Sequence, residues 1–191
     1  MNILVCISRV PDTATRVKIS EDGKTIDKTG VKFVVNPYDE FAIEEALQLK
    51  EKNGGEVTAV TVGPEENKDI LRTALAMKVD KAVLIKADAS ADTKDSYYIA
   101  KNLAEYAKEL SPDLIFLGRQ SVDYDSRQMA SALAELLDMP NVSVVNKLEV
   151  QDGKIIADRD IEGGKETVES PLPCVLSAQK GLNEPRYPKL P

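Results

Sequence analysis

Leu114-Ile115-Phe116-Leu117 runs into Gly118-Arg119-Gln120-Ser121-Val122-Asp123-Tyr124-Asp125-Ser126-Arg127-Gln128, and Met129, Leu133, Leu136 and Leu137 follow at helical spacing. A short run that is apolar at every position reads as a strand covered on both faces, because a half-exposed strand would alternate. The glycine ends the strand, the polar stretch turns the chain, and apolar residues three and four apart predict a helix capped by Asp125 or Ser126. Such a strand–loop–helix unit cannot bury both of its faces alone, so its neighbours decide the architecture.

Working outward, residues 3–7, 57–62 and 82–85 are three more short apolar runs. Between them lie helical patterns. Asn36-Pro37 opens the first as N-cap and proline at the first helical position, and Asn53-Gly54-Gly55 stops it. Ile70, Leu71, Ala74, Leu75 and Met77 mark a second helix, and Tyr98, Ile99, Leu103, Tyr106 and Leu110 a third that ends at Ser111-Pro112. This alternation predicts an α/β fold: an open, mostly parallel sheet with helices on both faces, joined by right-handed crossovers. Two segments depart from it. Residues 17–26 carry Asp22-Gly23 between extended arms and read as a hairpin. From residue 142 helices stop: 142–150 meets 154–157 across Asp152-Gly153, and Gly163-Gly164 with 168–176 continues a β-rich end, so antiparallel strands are expected to extend the sheet in the C-terminal third. Gly54-Gly55 and Gly163-Gly164 read as plain turns. Prolines 185, 188 and 191 favour an extended tail from Gly181.

The composition excludes several classes of function. Among 191 residues, 25 Lys and Arg face 32 Asp and Glu, a formal charge of −7, so no basic stripe is available to bind nucleic acid. There is no histidine, which removes Ser-His and Cys-His dyads and imidazole metal sites. Cys6 and Cys174 are too far apart for a CxxC, zinc or iron–sulfur pattern, and two unpaired thiols suit a reducing compartment. The apolar run at 3–7 lacks the basic flank and cleavage site of a secretory signal, and no stretch approaches the roughly 20 apolar residues of a membrane span. A prokaryotic cytoplasm is the simplest expectation, with the mitochondrial matrix the counterpart in a eukaryote.

In an open parallel sheet, ligands gather beyond the carboxyl ends of the strands. That points to the loops at 8–12, 63–64, 86–90 and 118–126. None carries GxGxxG or GxxxxGK[ST], so a Rossmann site and a Walker ATPase are disfavoured. The 118–128 loop can hold a phosphate on backbone N–H groups with Arg119 or Arg127 neutralising it, or be a solvated loop before a helix. At 36–40, Asn36 and Tyr38 can face a flavin or adenine, or Asn36 can simply cap its helix. Asp39-Glu40 and Asp123/Asp125 read as acids complementing helix dipoles rather than as acid–base pairs.

These same residues resemble a known family. Asn36-Pro37-Tyr38-Asp39-Glu40 with Ala42-Ile43-Glu44-Glu45-Ala46 is similar to the first helix of electron-transfer flavoprotein β subunits. Gly63-Pro64 followed by Leu71-Arg72-Thr73-Ala74-Leu75-Ala76-Met77, then Leu117-Gly118-Arg119-Gln120-Ser121-Val122-Asp123, and then Ser177-Ala178-Gln179-Lys180-Gly181-Leu182-Asn183-Glu184-Pro185-Arg186-Tyr187, resemble its other signatures in the same order. The resemblance implies an adenine-nucleotide α-hydrolase-like sheet and an electron-carrier subunit, not an enzyme. It implies an obligate heterodimer whose α subunit holds most of the FAD at the interface. Donors would be acyl-CoA dehydrogenases or related flavoenzymes, and the acceptor a membrane quinone oxidoreductase, with the chain itself not inserted in the membrane.

By position, Tyr38 would approach the flavin, while Thr13 stands where many members carry a second aromatic. Cys6, Ser8, Asn36 and Val62 with Gly118, Gln120, Ser121, Val122, Asp123, Tyr124, Asp125, Ser126, Arg127 and Gln128 would line a nucleotide pocket. AMP-binding members have a longer loop after the aspartates. Bifurcating members have this length but small residues where Tyr124 and Arg127 stand, and these larger side chains are expected to crowd a second FAD. The pocket is therefore expected to hold an AMP gripped by Arg127, or nothing, in preference to a second FAD. Leu182, Asn183, Glu184, Pro185, Arg186 and Tyr187 correspond to the segment that docks a dehydrogenase, with Leu182 as anchor, although a lone leucine can also pack back onto the sheet. The domain expected is 1–180, with 181–191 as the start of a C-terminal arm that family members continue and that is missing here. The rival reading is an adenine-nucleotide module of stress-protein type.

Overall fold

The computed structural model describes residues 1–87 and 95–188. Its strands are β1 (Asn2–Cys6), β2 (Arg9–Pro11), β3 (Phe33–Val35), β4 (Glu56–Gly63), β5 (Lys81–Lys86), β6 (Leu114–Gly118), β7 (Asn141–Gln151), β8 (Lys154–Ile161), β9 (Gly164–Pro171) and β10 (Cys174–Ala178). The helices are α1 (Pro37–Asn53), α2 (Lys68–Ala76), α3 (Ser96–Leu110) and α4 (Met129–Leu137). Eight strands form one sheet in the order β5-β4-β1-β6-β10-β7-β8-β9, parallel from β5 to β7 and antiparallel from β7 to β9.

Strand period sorts the side chains between two cores. Ile3 and Val5 of β1, Leu114 and Phe116 of β6, and Cys174 and Leu176 of β10 join α1 and α2 on one face. Leu4 and Cys6, Ile115 and Leu117, and Val175 join α3 and α4 on the other. Fully burying side chains such as Leu4, Ile115 and Phe116 contributes roughly 1.5–3 kcal/mol each. Helix α1 is unusual in burying Glu44 and Glu45 along with Ile43, Ala46 and Leu47. One side of it lies on the sheet, and the other receives polar contacts from Asn183 and Arg186.

The chain leaves β1 for β4 and β5 on one side, then returns across the sheet to β6 on β1's other side. The crevice at the carboxyl ends of β1 and β6 is therefore where crossovers diverge.

Two expectations are corrected. The hairpin at 17–26 is reduced to a single bridge between Ile19 and Ile26, although Gly23 does make the turn at φ 70°. Val17 and Ile19 are 60% and 76% exposed, so these arms find no core face, and a two-stranded ribbon without one is marginal. The short hairpin keeps two flanking backbone hydrogen bonds, Ser20 N–H to Thr25 O and Asp27 N–H to Lys18 O, and a longer antiparallel pairing joins Arg9–Pro11 to Phe33–Val35. Likewise, 168–176 is not one continuing antiparallel stretch. It ends β9 at Pro171, and β10 then enters the sheet centre, parallel to both β6 and β7. All five residues of β10 are buried, which only an interior position provides.

Candidate functional site

Asp39 lies in the first turn of α1, two residues after Pro37, and is 4% exposed. Its Oδ2 accepts from the Ser8 backbone N–H at 2.7 Å and the Ser8 hydroxyl at 2.8 Å. Its Oδ1 accepts from the Asn36 amide and the Gly118 N–H, both at 2.9 Å. Burial pushes the Asp39 carboxyl up to about 6 against these hydrogen bonds, because no donor supplies a full positive charge. The same burial, with the Asp39 charge beside it, raises the Cys6 thiol. The carboxyl ends of β1 and β6 are thus tied to α1 through one side chain.

Asn36 extends the tie. Its Nδ2 also donates to the Gln120 carbonyl at 2.9 Å, and its Oδ1 accepts from the Val122 N–H at 3.2 Å. The expected capping role is not taken up: the Asn36 side chain makes no cap hydrogen bond, since both of its polar atoms serve the loop. Gly118 is required by close approach. A Cβ there would stand 2.6 Å from the Tyr38 backbone carbonyl carbon and would also strike the Asp39 carboxylate. The Arg119 N–H donates to the Ala178 carbonyl at 2.9 Å, joining the loop to β10, while its guanidinium lies over the Tyr38 ring at 5.4 Å and its Nε donates to Gln120 Oε1.

Beyond Val122 the loop turns outward. Gln120 Nε2 donates to Asp125, and the Ser121 N–H donates to the Ser126 carbonyl at 3.2 Å. Neither Asp125 nor Ser126 caps α4, contrary to expectation. Asp125 sits at φ 52° in the turn, α4 begins at Met129, and Gln128 at its N-cap supplies no side-chain hydrogen bond. The first N–H groups of α4 therefore lack a side-chain cap, a donor set that suits an anion, and Arg127 stands beside them. Arg127 pairs with Asp125 at 3.9 Å, its side chain 62% exposed, and Tyr124 is 75% exposed. Both large side chains stand exposed at the outer end of the loop.

Ser8, Asn36, Tyr38, Gly118, Gln120, Ser121 and Val122 come together at the β1–β6 crevice, and Asp123, Tyr124, Asp125, Ser126, Arg127 and Gln128 form its outer rim. Cys6 is 5% exposed, and it and the partly buried Val62 face the core between the sheet and α3 and α4. Of the 86–90 loop, residues 88–90 lie outside the described residues. Asp39 is the residue that sequence reasoning set aside as a dipole complement. Besides Asn36, its partners Ser8 and Gly118 lie 31 and 79 positions away, so no local pattern signals them.

A second polar cluster fastens residues 182–187. Asn183 Nδ2 donates to the Phe41 carbonyl at 3.0 Å and to Glu45 at 2.9 Å. Arg186 clasps Glu44 through Nε at 2.7 Å and Nη2 at 3.0 Å, and Glu51 through Nη1 at 2.6 Å. Burial pushes Glu44 up, but hydrogen bonds from Arg186 and Gln48 outweigh it and hold the carboxyl below the usual range. Leu182 is partly buried against the α1–α2 core, and Tyr187 is 93% exposed. Glu184 is exposed and Pro185 half-buried; residues 189–191 lie outside the described residues. Among the described residues no helix is long and apolar enough to cross a membrane, and no cluster of metal-ligating side chains occurs.

A family model described as the electron transfer flavoprotein domain matches residues 23–190. The chain is 49% identical over 191 residues to the electron transfer flavoprotein subunit beta of Bacillus subtilis (strain 168), covering 100% of this chain and 74% of that one. It is 39% identical over 191 residues to the subunit beta of Dictyostelium discoideum, covering 100% and 75%. It is also 39% identical over 193 residues to the mitochondrial subunit beta of Oryza sativa subsp. japonica, covering 100% and 76%.

Proposed function

The chain belongs to the electron transfer flavoprotein family, and from that premise we propose that it is a β-type carrier subunit, working as a heterodimer with an α-type subunit. The observation that carries this reading, beyond full-length similarity, is the Asn36–Asp39–Gly118 network, which unites two separate sequence signatures at one crevice. A flavin, when bound, supplies the one-electron chemistry, and a subunit without histidine is suited to leave that chemistry to it. FAD is held mainly by the α subunit, with the half-buried Tyr38 and the Arg119 guanidinium over its ring as this chain's nearest contribution.

The 118–128 loop takes an AMP-sized ligand. The uncapped start of α4 and Arg127 offer donors for a phosphate, and the fixed backbone of 118–122 forms the pocket floor. A second FAD is the less favoured occupant. Donors are acyl-CoA dehydrogenase-type flavoenzymes and the acceptor is a membrane quinone oxidoreductase. Residues 182–187, pinned by Asn183 and Arg186, dock the donor with Leu182 and Tyr187. The location that fits is a prokaryotic cytoplasm, or the mitochondrial matrix in a eukaryote.

The test is co-purification with the α-type subunit, followed by a visible spectrum and counting of nucleotides released on denaturation. One FAD and one AMP per heterodimer is the expected result, and two FAD would overturn the assignment of the loop. Leu182→Ala should slow reduction by the donor while flavin content stays constant; equal rates would reject the docking role.

A further inference from the structure

The link between the first turn of α1 and the 118–122 loop passes through Asp39 and Asn36. Gly118 N–H binds Asp39, while the Gln120 carbonyl and Val122 N–H bind Asn36, which Asp39 itself holds in place. We propose that Asp39 is a positioning residue for this loop, and that its hold is tighter when its carboxyl carries a proton than when it is ionised.

The charges around Asp39 explain the sign. Arg9, next to Ser8, is committed to Asp69 at 2.8 Å and stacks 3.9 Å over Phe33. Arg119 lies over Tyr38 and donates to Gln120. Strands β3, β6 and β10, with sequences FVV, LIFLG and CVLSA, bring no charged residue. The remaining titratable neighbours are Cys6 on β1 and Glu40 on α1, each raised first by burial and then by the Asp39 charge. An ionised Asp39 therefore meets neutral donors and a neighbouring acid, with no lysine or arginine paired to it among the described residues. Protonation leaves the network satisfied, because the freely rotating Ser8 hydroxyl can turn from donor to acceptor.

Opening the loop hydrates the carboxyl and returns it toward its ordinary range, whereas the closed loop holds it at about 6. The closed form thus binds the proton more tightly, so acid favours closure and rising pH loosens it. The inference deepens the nucleotide-loop reading, since the same loop is the proposed ligand element, but its test needs no nucleotide.

Amide exchange of residues 118–122 in the full chain, corrected for the intrinsic rate, should show protection falling about tenfold between pH 5 and pH 8. Carboxyl carbon resonances should give Asp39 a midpoint near 6. Asp39→Asn keeps the shape but cannot ionise, so its protection should be independent of pH. Ser8→Ala removes one donor to the carboxylate and should move the midpoint upward. Protection that is flat or rises with pH in the unmodified chain, or an unchanged slope in Asp39→Asn, would overturn the proposal. If Asp39→Asn does not fold, the carboxyl midpoint decides alone, and a value in the ordinary aspartate range overturns it. A chain that shows the exchange profile but binds no AMP would reject the ligand reading only, and AMP binding with a flat profile would reject the clip only.

Discussion

Of the three carboxylates that helix α1 buries, Asp39 and Glu44 lie only five positions apart, and the protein treats these two in opposite ways. Asp39 is 4% exposed and meets neutral donors, so burial wins and its carboxyl is raised to about 6. Glu44 is also 4% exposed but is clasped by Arg186, and its carboxyl is lowered. Asp39 is the more deeply enclosed of the two, and Glu44 has a cation beside it; depth and charge together decide the direction. The raised group sits at the crevice where the chain's loops converge, and the lowered one fastens the C-terminal segment to the helix. The first arrangement responds to protons near neutrality, and the second keeps its charge there.

The contrast can be broken most severely at Gly118. Gly118→Ala forces a Cβ into the Tyr38 backbone and the Asp39 carboxylate, and should cost about 4 kcal/mol in denaturant unfolding. A cost below about 1 kcal/mol would show that the loop is not held as described. Next comes Arg186→Ala, which leaves Glu44 buried without its cation and should cost about 3 kcal/mol. In that variant the Glu44 carboxyl should also titrate above the usual glutamate range, because burial then acts with Arg186 removed.

The pH dependence is smaller and has opposite signs at the two sites. A group raised in the fold gives stability that is present at low pH and lost as pH rises through its folded value. Asp39 should therefore account for about 1 kcal/mol of stability lost between pH 5 and pH 8, and Asp39→Asn should abolish that slope in unfolding titrations. Glu44 gives stability present above its ordinary range and lost as the pH falls below it, so Arg186→Ala should blunt acid destabilisation. The smallest effect on stability belongs to the rim. Arg127→Ala should change unfolding by less than about 0.5 kcal/mol while weakening AMP binding about tenfold, checked by calorimetry.

The alternation of apolar runs and helical patterns made the parallel half legible. The runs at 3–7, 57–62, 82–85 and 114–117 each hold a strand, and among the described residues helices α1 to α4 stand where their periodicity places them. The stops at Gly54 and Ser111 are equally local, since each depends on the backbone at a helix end. The errors share one cause. Asp22-Gly23 turns as its residues demand, but its arms have nothing to pack on, and a turn signal carries no information about that. Residues Cys174–Ala178 were legible as a strand but not as one inserted between β6 and β7. Asn36 and Asp125 both have the chemistry of helix caps, but the distant backbone of residues 120 and 122 claims Asn36, and the Gln120 side chain of the same loop claims Asp125.

By itself, then, the sequence determined the strands and helices of the parallel half, which chemistries lack the residues to occur, and which family the chain resembles, because each depends on residue types at short spacing. Tertiary structure alone decided that Asp39 would be buried beside Ser8 and Gly118, and that Arg186 would reach back to Glu44. A carboxylate's ionisation depends on the solvent it loses and the donors it meets, and beside the local Asn36 and Gln48 the fold brings donors from 31, 79 and 142 positions away.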